Sequence, residues 1–394
     1  MAKDLSSAQL SSTPLSLGGL LPPSFEEATN RRQKARAAGL DPDYWYPVEY
    51  DERLEAGQTR EVVFWKRSIA IFRGQDGQVR AVENRCAHRQ VKLSLGVVEG
   101  CNVVCPYHGW AYDGEGRLAS VPHDFFGKNR PDFRIRSFPV QIRYGLIWIF
   151  PGDPEKAQTK SLPEIPELEG KNRWSCVPVD FTWRAHHSMI IDNVSDFTHA
   201  YLHRRFRPFT DAKLKNLVVE EDRVLLSYDT KVGDGPISKY FVNRKRVNTN
   251  SIELGYEYPY QWSNTDNKIK HWCFVLPIDE RTTRSFFLFY FKALDIPFTS
   301  ASIPRWAMAP FLRIANRLLV KPLLTEDGFA VEAEQEGYDS CFDAPVAELN
   351  PAVHQFQRLT VKKWEEYLRR QASKGAEASP CKTGVTLQQV PAAE

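Results

Sequence analysis

Residues 86–108, CAHRQVKLSLGVVEGCNVVCPYH, constrain this chain more than any other stretch. Cys86 and His88 form a C-x-H pair, and Cys105 and His108 form C-x-x-H. Each pair sets one thiolate and one imidazole at the tip of a loop, so two facing loops supply two Cys and two His. A [2Fe–2S] cluster with two thiolates on one iron and two imidazoles on the other needs that set, and the imidazoles raise its potential above that of an all-thiolate cluster. Zinc also takes mixed Cys/His sites, but a structural zinc finger pairs Cys with Cys and His with His, or uses four Cys. Here each loop carries one of each, which favours the iron–sulfur reading. Cys101 has no partner at metal spacing and reads as a small buried thiol.

The sequence around these loops is strands and turns. REVVFWKRSIAIFRGQDGQVRAVEN is broken by Gly-Gln-Asp-Gly, WAYDGEGRLASVPH by Asp113-Gly114-Glu115-Gly116, and RSFPVQIRYGLIWIF closes the pattern. The metal loops are expected to project from a small antiparallel β domain over 43–151. A Pro- and Gly-rich linker follows, then a catalytic domain over 152–372. Residues 1–42 are Ser- and Pro-rich and then basic; they form either a tail or an arm on the body, and the composition favours the tail. Residues 373–394 read as a disordered tail.

A net charge of +3 over 394 residues argues against a nucleic-acid protein. Seven Cys without disulfide-framework spacing suit a reducing cytoplasm. No run approaches the ~18 apolar residues of a membrane span. IPRWAMAPFLRIANRLLVKPLL alternates apolar and basic residues; it reads as a core helix, with a membrane-surface helix as the other reading.

A second constellation begins at Asp192. In DNVSDFTHAYLH, continued as one helix at ~100° per residue, Asn193, Asp196, His199 and His203 fall within a ~120° arc. One face thus offers an amide, a carboxylate and two imidazoles at i, i+4, both able to reach one metal. Non-haem Fe(II) oxygenases use two His and one carboxylate and keep positions open for O2 and substrate. Candidates for the carboxylate are Asp327, Glu326, Glu332 and Asp339, and by spacing alone Asp327 could simply complement a helix dipole. His186 and His187 sit on an expected strand and read as structural, pointing to opposite faces. His123, His271 and His354 have no ligand-spaced partner.

These motifs together resemble the Rieske non-haem iron oxygenases, specifically their catalytic α subunit, over about residues 43–345. CAHR…CPYHGWAYDGEGRL is similar to that family's cluster loops, DNVSDFTHAYLH to its N-x-x-D-x-x-H…H iron motif, and EDGFAVEAEQ to its segment with the iron-binding Asp. Three residues separate His199 and His203 where the family usually has four, and Gln90 stands where many members have Gly. The resemblance implies an α+β chain: an antiparallel β Rieske domain, then a helix-grip-like catalytic domain with an antiparallel sheet and helices. It implies a [2Fe–2S] cluster on Cys86, His88, Cys105 and His108, and Fe(II) on His199, His203 and Asp327. Asp196 would bridge an iron-site His to a cluster His of a neighbouring subunit, implying a homotrimer. Electrons from NAD(P)H would arrive through a flavin-dependent reductase or a ferredoxin. The expected reaction is monooxygenation of an organic substrate; alternatives are arene cis-dihydroxylation, oxidative demethylation or, remotely, electron transfer alone. A weaker likeness to stand-alone hydroxylases of the saxitoxin pathway suggests a specialised metabolite. The pocket is expected near Phe241, Tyr256, Tyr258, Trp262, Trp272 and Phe287; 242–250 is a candidate lid, though it reads more readily as a solvated loop.

Overall fold

The computed structural model describes residues 21–123, 132–171, 174–206, 208–232, 251–292 and 305–377. A short helix, α1 (Arg31–Ala37), comes first, capped by Asn30, whose side chain accepts from the Gln33 N–H. Eleven short strands follow: β1 (Tyr46–Tyr50), β2 (Thr59–Phe64), β3 (Arg67–Arg73), β4 (Val79–Glu83), β5 (Val97–Glu99), β6 (Asn102–Val104), β7 (Ala111–Tyr112), β8 (Leu118–Ser120), β9 (Ser137–Phe138), β10 (Val140–Arg143) and β11 (Leu146–Ile149). They pair as three antiparallel sheets, β1-β11-β10, β2-β3-β4-β9 and β5-β6-β7-β8. The β4–β5 connection carries Cys86 and His88, and the β6–β7 connection carries Cys105 and His108. A compact core of Phe72, Val82, Leu93, Val103, Tyr112 and Ile135 lies beneath both.

The second unit is a seven-stranded antiparallel sheet. Its strands are β12 (Ser175–Trp183), β13 (Phe209–Val219), β14 (Arg223–Val232), β15 (Ser251–Glu257), β16 (Tyr260–Thr265), β17 (Ile269–Asp279) and β18 (Thr282–Phe291), in the order β12-β18-β17-β16-β15-β14-β13. Side chains alternate between faces. One face meets the first unit: Trp148 packs edge-on to Phe274 at 4.9 Å, and the Tyr260 hydroxyl donates to the Trp45 carbonyl at 2.8 Å. The other face meets α2 (His187–Ser195), α4 (Lys321–Cys341) and α5 (Pro351–Glu377), where the Tyr256 hydroxyl bonds Thr360 at 3.0 Å. A helix α3 (Arg305–Ala315) leads through one π turn, Asn316–Val320, into α4.

Four expectations change. The N-terminal stretch packs on the body over its described part rather than trailing as a tail. A Cβ on Gly39 would lie 2.6 Å from the Trp364 ring on α5, so glycine is what permits that close approach, and Arg36 is buried between helices. Residues 192–203 are not one helix: α2 ends at Ser195, and a 3-10 turn at His199–Tyr201 follows. His186 caps α2 and His187 begins it, so their rings are neighbours at 4.1 Å instead of facing apart. Helix α5 continues to Glu377, past the boundary expected at 372. Phe241 and 242–250 lie outside the described residues.

Candidate metal centres

The cluster loops are held by their own backbone. The Cys86 N–H donates to the Val91 carbonyl at 2.9 Å and the Gln90 N–H to Cys86 at 2.8 Å; in the other loop Cys105 N–H donates to Trp110 at 2.9 Å and Gly109 N–H to Cys105 at 3.1 Å. Gln90 and Gly109 hold the matching left-handed positions, φ +61° and +69°, so Gln90 accepts a conformation that glycine takes more cheaply. Both thiols are buried. Burial pushes the Cys105 thiol up, and the neighbouring Cys86 adds to this; a bound cation would relieve it. The His88 and His108 rings stand 4.5 Å apart, and His88 stacks on Trp110 at 4.7 Å. His88 Nδ1 is buried without a hydrogen-bond partner. Two adjacent buried thiols beside two imidazoles, one with an orphaned nitrogen, fit a mixed Cys/His cluster.

The second centre forms where α2 breaks. Asp196 has φ −102° and ψ 96°, and its Oδ1 accepts from the Thr198 N–H at 2.8 Å and hydroxyl at 2.6 Å. This side chain-to-backbone turn ends the helix. The 3-10 turn then brings His199 and His203 together, ring centroids 5.1 Å apart. Across from them, α4 supplies Asp327, whose Oδ1 is 3.5 Å from His199 Nε2 and 3.2 Å from His203 Nε2. All three ligand atoms lie within 4.8 Å of one another. Asp327 Oδ1 is buried without a properly directed hydrogen bond.

Electrostatics fit a cation here. Burial pushes the His199 imidazole down, with Asp327 pulling the other way. Burial also opposes charge on His203, but Asp327 and Glu326 outweigh it and move that imidazole up. The carboxylates of this pocket seek a positive charge, and a metal supplies one.

Glu326, one of the rival ligand candidates, instead accepts from His203 Nδ1 at 2.9 Å, which fixes the ring and aims Nε2 inward. Glu332 accepts from the Arg184 N–H, and Asp339 from the Gln335 amide. Asn193 is half-buried with its Oδ1 unpaired and is not among the converging ligand atoms. Gly328 lets α4 lie on β12: a Cβ there would sit 2.4 Å from Trp183 Nε1. Asn350 joins the site from outside the sequence motifs. Its Nδ2 donates to Asp196 Oδ1 and to the Tyr228 hydroxyl, both at 2.8 Å, while its Oδ1 caps α5 at Ala352. The signal was Asn-Pro just before an amphipathic run, an N-cap followed by proline.

Phe209 packs against both imidazoles, at 5.5 and 5.8 Å. On the same face of the sheet, Phe289 lies 5.1 Å from His271, which accepts from or donates to Ser263 at 2.6 Å. Burial holds the His271 imidazole down at about 4, so it is neutral at pH 7. Tyr256 and Phe287 share this inner face. Trp262, Trp272 and Tyr258 instead line a cleft of ≈ 580 Å³ between residues 161–167 and the outer face, remote from the triad in sequence and fold.

An iron–sulfur domain beside a two-His, one-carboxylate pocket defines an oxygenase in which electrons pass from a cluster to a mononuclear iron. The chain belongs to the Rieske non-haem iron oxygenases. Residues 44–128 match the Rieske [2Fe-2S] domain, and residues 183–371 match the vanillate O-demethylase oxygenase C-terminal domain. The chain is 46% identical over 340 residues to a 4beta-methylsterol monooxygenase of Methylococcus capsulatus, covering 86% of this chain and 92% of that one. It is 32% identical over 198 residues to the oxygenase component of dicamba O-demethylase of Stenotrophomonas maltophilia, covering 49% and 53%. Crystalline dicamba monooxygenase bound to dicamba shares the fold, with TM-score 0.66 at 20% identity over 85% of this chain and 100% of that one. The chain is therefore an oxidoreductase using a [2Fe–2S] cluster and a mononuclear non-haem iron to oxygenate an organic substrate.

Proposed function

We propose that this enzyme hydroxylates a methyl group on a polycyclic lipid of the sterol kind, with electrons relayed from NAD(P)H by a flavin-dependent reductase or a ferredoxin. The extended likeness to a methylsterol monooxygenase supports the substrate class. The observation that carries the chemistry is the convergence of His199, His203 and Asp327 around a buried, unpaired carboxylate oxygen. In this reading those three residues hold Fe(II), and Cys86, His88, Cys105 and His108 hold the cluster. When bound, the two groups supply single-electron transfer and O2 activation. The protein's part is to orient and to exclude water. Glu326 fixes the His203 ring, Phe209 shields the imidazoles, and the neutral His271 keeps a further charge away from the triad.

Asp196 is read as the bridge to a cluster imidazole of the next subunit in a homotrimer. Its Oδ1 is saturated by Thr198 and Asn350, which leaves Oδ2 as the acceptor to present. Asp196→Asn is expected to retain both metals and slow turnover ~100-fold; Asn350→Ala, which frees the carboxylate to rotate, is expected to slow it ~10-fold or more. Rapid-mixing reduction of the iron site by a pre-reduced cluster measures both, and unchanged rates would remove the bridge. We further read the cluster domain as 43–151 and the catalytic domain as 152–377. We place the enzyme in the cytoplasm, in keeping with free cysteines throughout the described residues.

Reconstitution with a reductase, 18O2 and a methylated sterol tests the reaction. One labelled oxygen is expected in a hydroxymethyl product; two labelled oxygens, or an unconsumed sterol, would discard this reading. The match to an O-demethylase domain supports a second outcome. A hydroxylated methyl on oxygen collapses to formaldehyde, whereas one on carbon stays in place, so a formaldehyde assay on methyl ethers separates the two.

A further inference from the structure

The helical run α3–π turn–α4 carries a feature that oxygenation does not use. Ile314, Leu318 and Phe329 are 58%, 57% and 62% exposed. At helical spacing they share an outer stripe with Lys321 and Thr325, flanked by Arg313 and Arg317, and all four of these are exposed. From 306 to 325 the sequence has no Asp or Glu. Arg313, Arg317 and Lys321 make no ion pair among the described residues. A folded domain normally covers or breaks up such a stripe, and isolated arginines on it imply an anionic partner.

We infer that this stripe is a docking face for an anionic membrane surface, with Ile314, Leu318 and Phe329 entering the headgroup boundary and Arg313, Arg317 and Lys321 pairing with lipid phosphates. No described helix is long and apolar enough to cross a membrane, so the contact is interfacial. The pattern is that of such helices: an apolar strip bordered by Lys and Arg. The placement gives it a use. Asp327 and Phe329, two residues apart on α4, point to opposite sides, the first buried in the triad and the second outward. Docking would therefore set the iron-site helix at a fixed height over the bilayer that dissolves a sterol-like substrate. The inference rests on the lipid-substrate reading for its purpose, but the docking itself is tested without substrate.

The test uses the full-length holoenzyme in vesicle flotation, with phosphatidylcholine vesicles containing phosphatidylglycerol against phosphatidylcholine alone. Wild type is expected to float with the anionic vesicles and to be released by salt. R313Q/R317Q is expected to bind roughly 30-fold more weakly, from the contribution of each basic residue near an anionic surface. I314S/L318S is expected to lose flotation with its molar mass by light scattering unchanged. Turnover of sterol supplied in cyclodextrin should be the same in all three proteins, while turnover of vesicle-borne sterol falls in the variants. A wild type that stays with the unbound protein, or variants that float equally, overturns the docking face. A drop in molar mass for I314S/L318S assigns the stripe to a second copy of the chain and likewise overturns it. Failure to turn over cyclodextrin-delivered sterol counts against the substrate reading alone and leaves the flotation result to decide the docking.

Discussion

Asp327→Ala is expected to abolish product formation while the cluster's visible absorption and reduction remain as in wild type. The side chain is the sole carboxylate in the described three-residue group, and without it two imidazoles alone face the pocket. Iron should fall from about three to about two per chain, since the cluster keeps its two. Folding should not suffer. Asp327 Oδ1 is buried and lacks a directed hydrogen bond, so in the metal-free protein the desolvation cost of ~1–3 kcal/mol that its removal relieves offsets the lost attraction to His203. Loss of activity with a little-changed thermal midpoint, both proteins being compared without the mononuclear iron, separates a metal ligand from a packing residue. Residual turnover with full iron content would mean that another carboxylate completes the site, and Glu326 would be the first to test.

The proposed cluster ligands are local: two short loops, each with its own Cys and His, so spacing alone points to them. The α+β architecture as a whole is what the family resemblance implies, while turn chemistry and strand alternation mark out the β domain except where tertiary contacts override local preference. The β2–β3 turn is one such place. Trp65 and Lys66 take φ of +46° and +63° without glycine, because their N–H groups donate to Pro277 and Ile278 of β17 at 2.8 and 2.7 Å. Nothing near them in sequence announces those acceptors. The pairing of His199 and His203 emerged from an assumed helix that the structure breaks at Asp196. The two rings still meet, 5.1 Å apart, because the chain turns back through the 3-10 segment His199–Tyr201 and the residues after it, not because the two positions share a helix face. The helix failed on a known competition, in which an Asp side chain captures the N–H two residues on. The pocket residues divided for a simpler reason. Alternation places Trp272 and His271 on opposite faces, but the sequence does not say which face meets the helices.

Arg36 shows what composition hides. It belongs to a stretch that reads as a polar tail, yet its side chain is only 4% exposed. One guanidinium nitrogen lies 2.8 Å from Asp192 Oδ2 and donates to Ser188 Oγ at 2.7 Å; the other is 2.8 Å from Glu334 Oε1. It therefore ties α1 to α2 and α4, the latter carrying Asp327. Burial pushes the Asp192 carboxyl up to about 6, with Arg36 opposing that rise, while for Arg36 burial is outweighed by Asp192 and Glu334, which hold it protonated. We take the pair as ionised at pH 7, since each ion is the other's main compensation and Gln357 also donates to Asp192 at 2.8 Å. Arg36→Ala is expected to cost ~3–5 kcal/mol, because it strands a buried carboxylate. Arg36→Met paired with Asp192→Asn should recover most of that loss, since a neutral pair of similar volume removes both desolvation terms. Denaturant midpoints of the three proteins, each loaded with iron to the same content, measure the effect. A single variant within ~0.5 kcal/mol of wild type would mean that the arm is laid on the body without holding its helices, at the level of an ordinary surface change. A double variant no better than the single would mean that the charge, and not merely the filled space, sets the distance between α2 and α4.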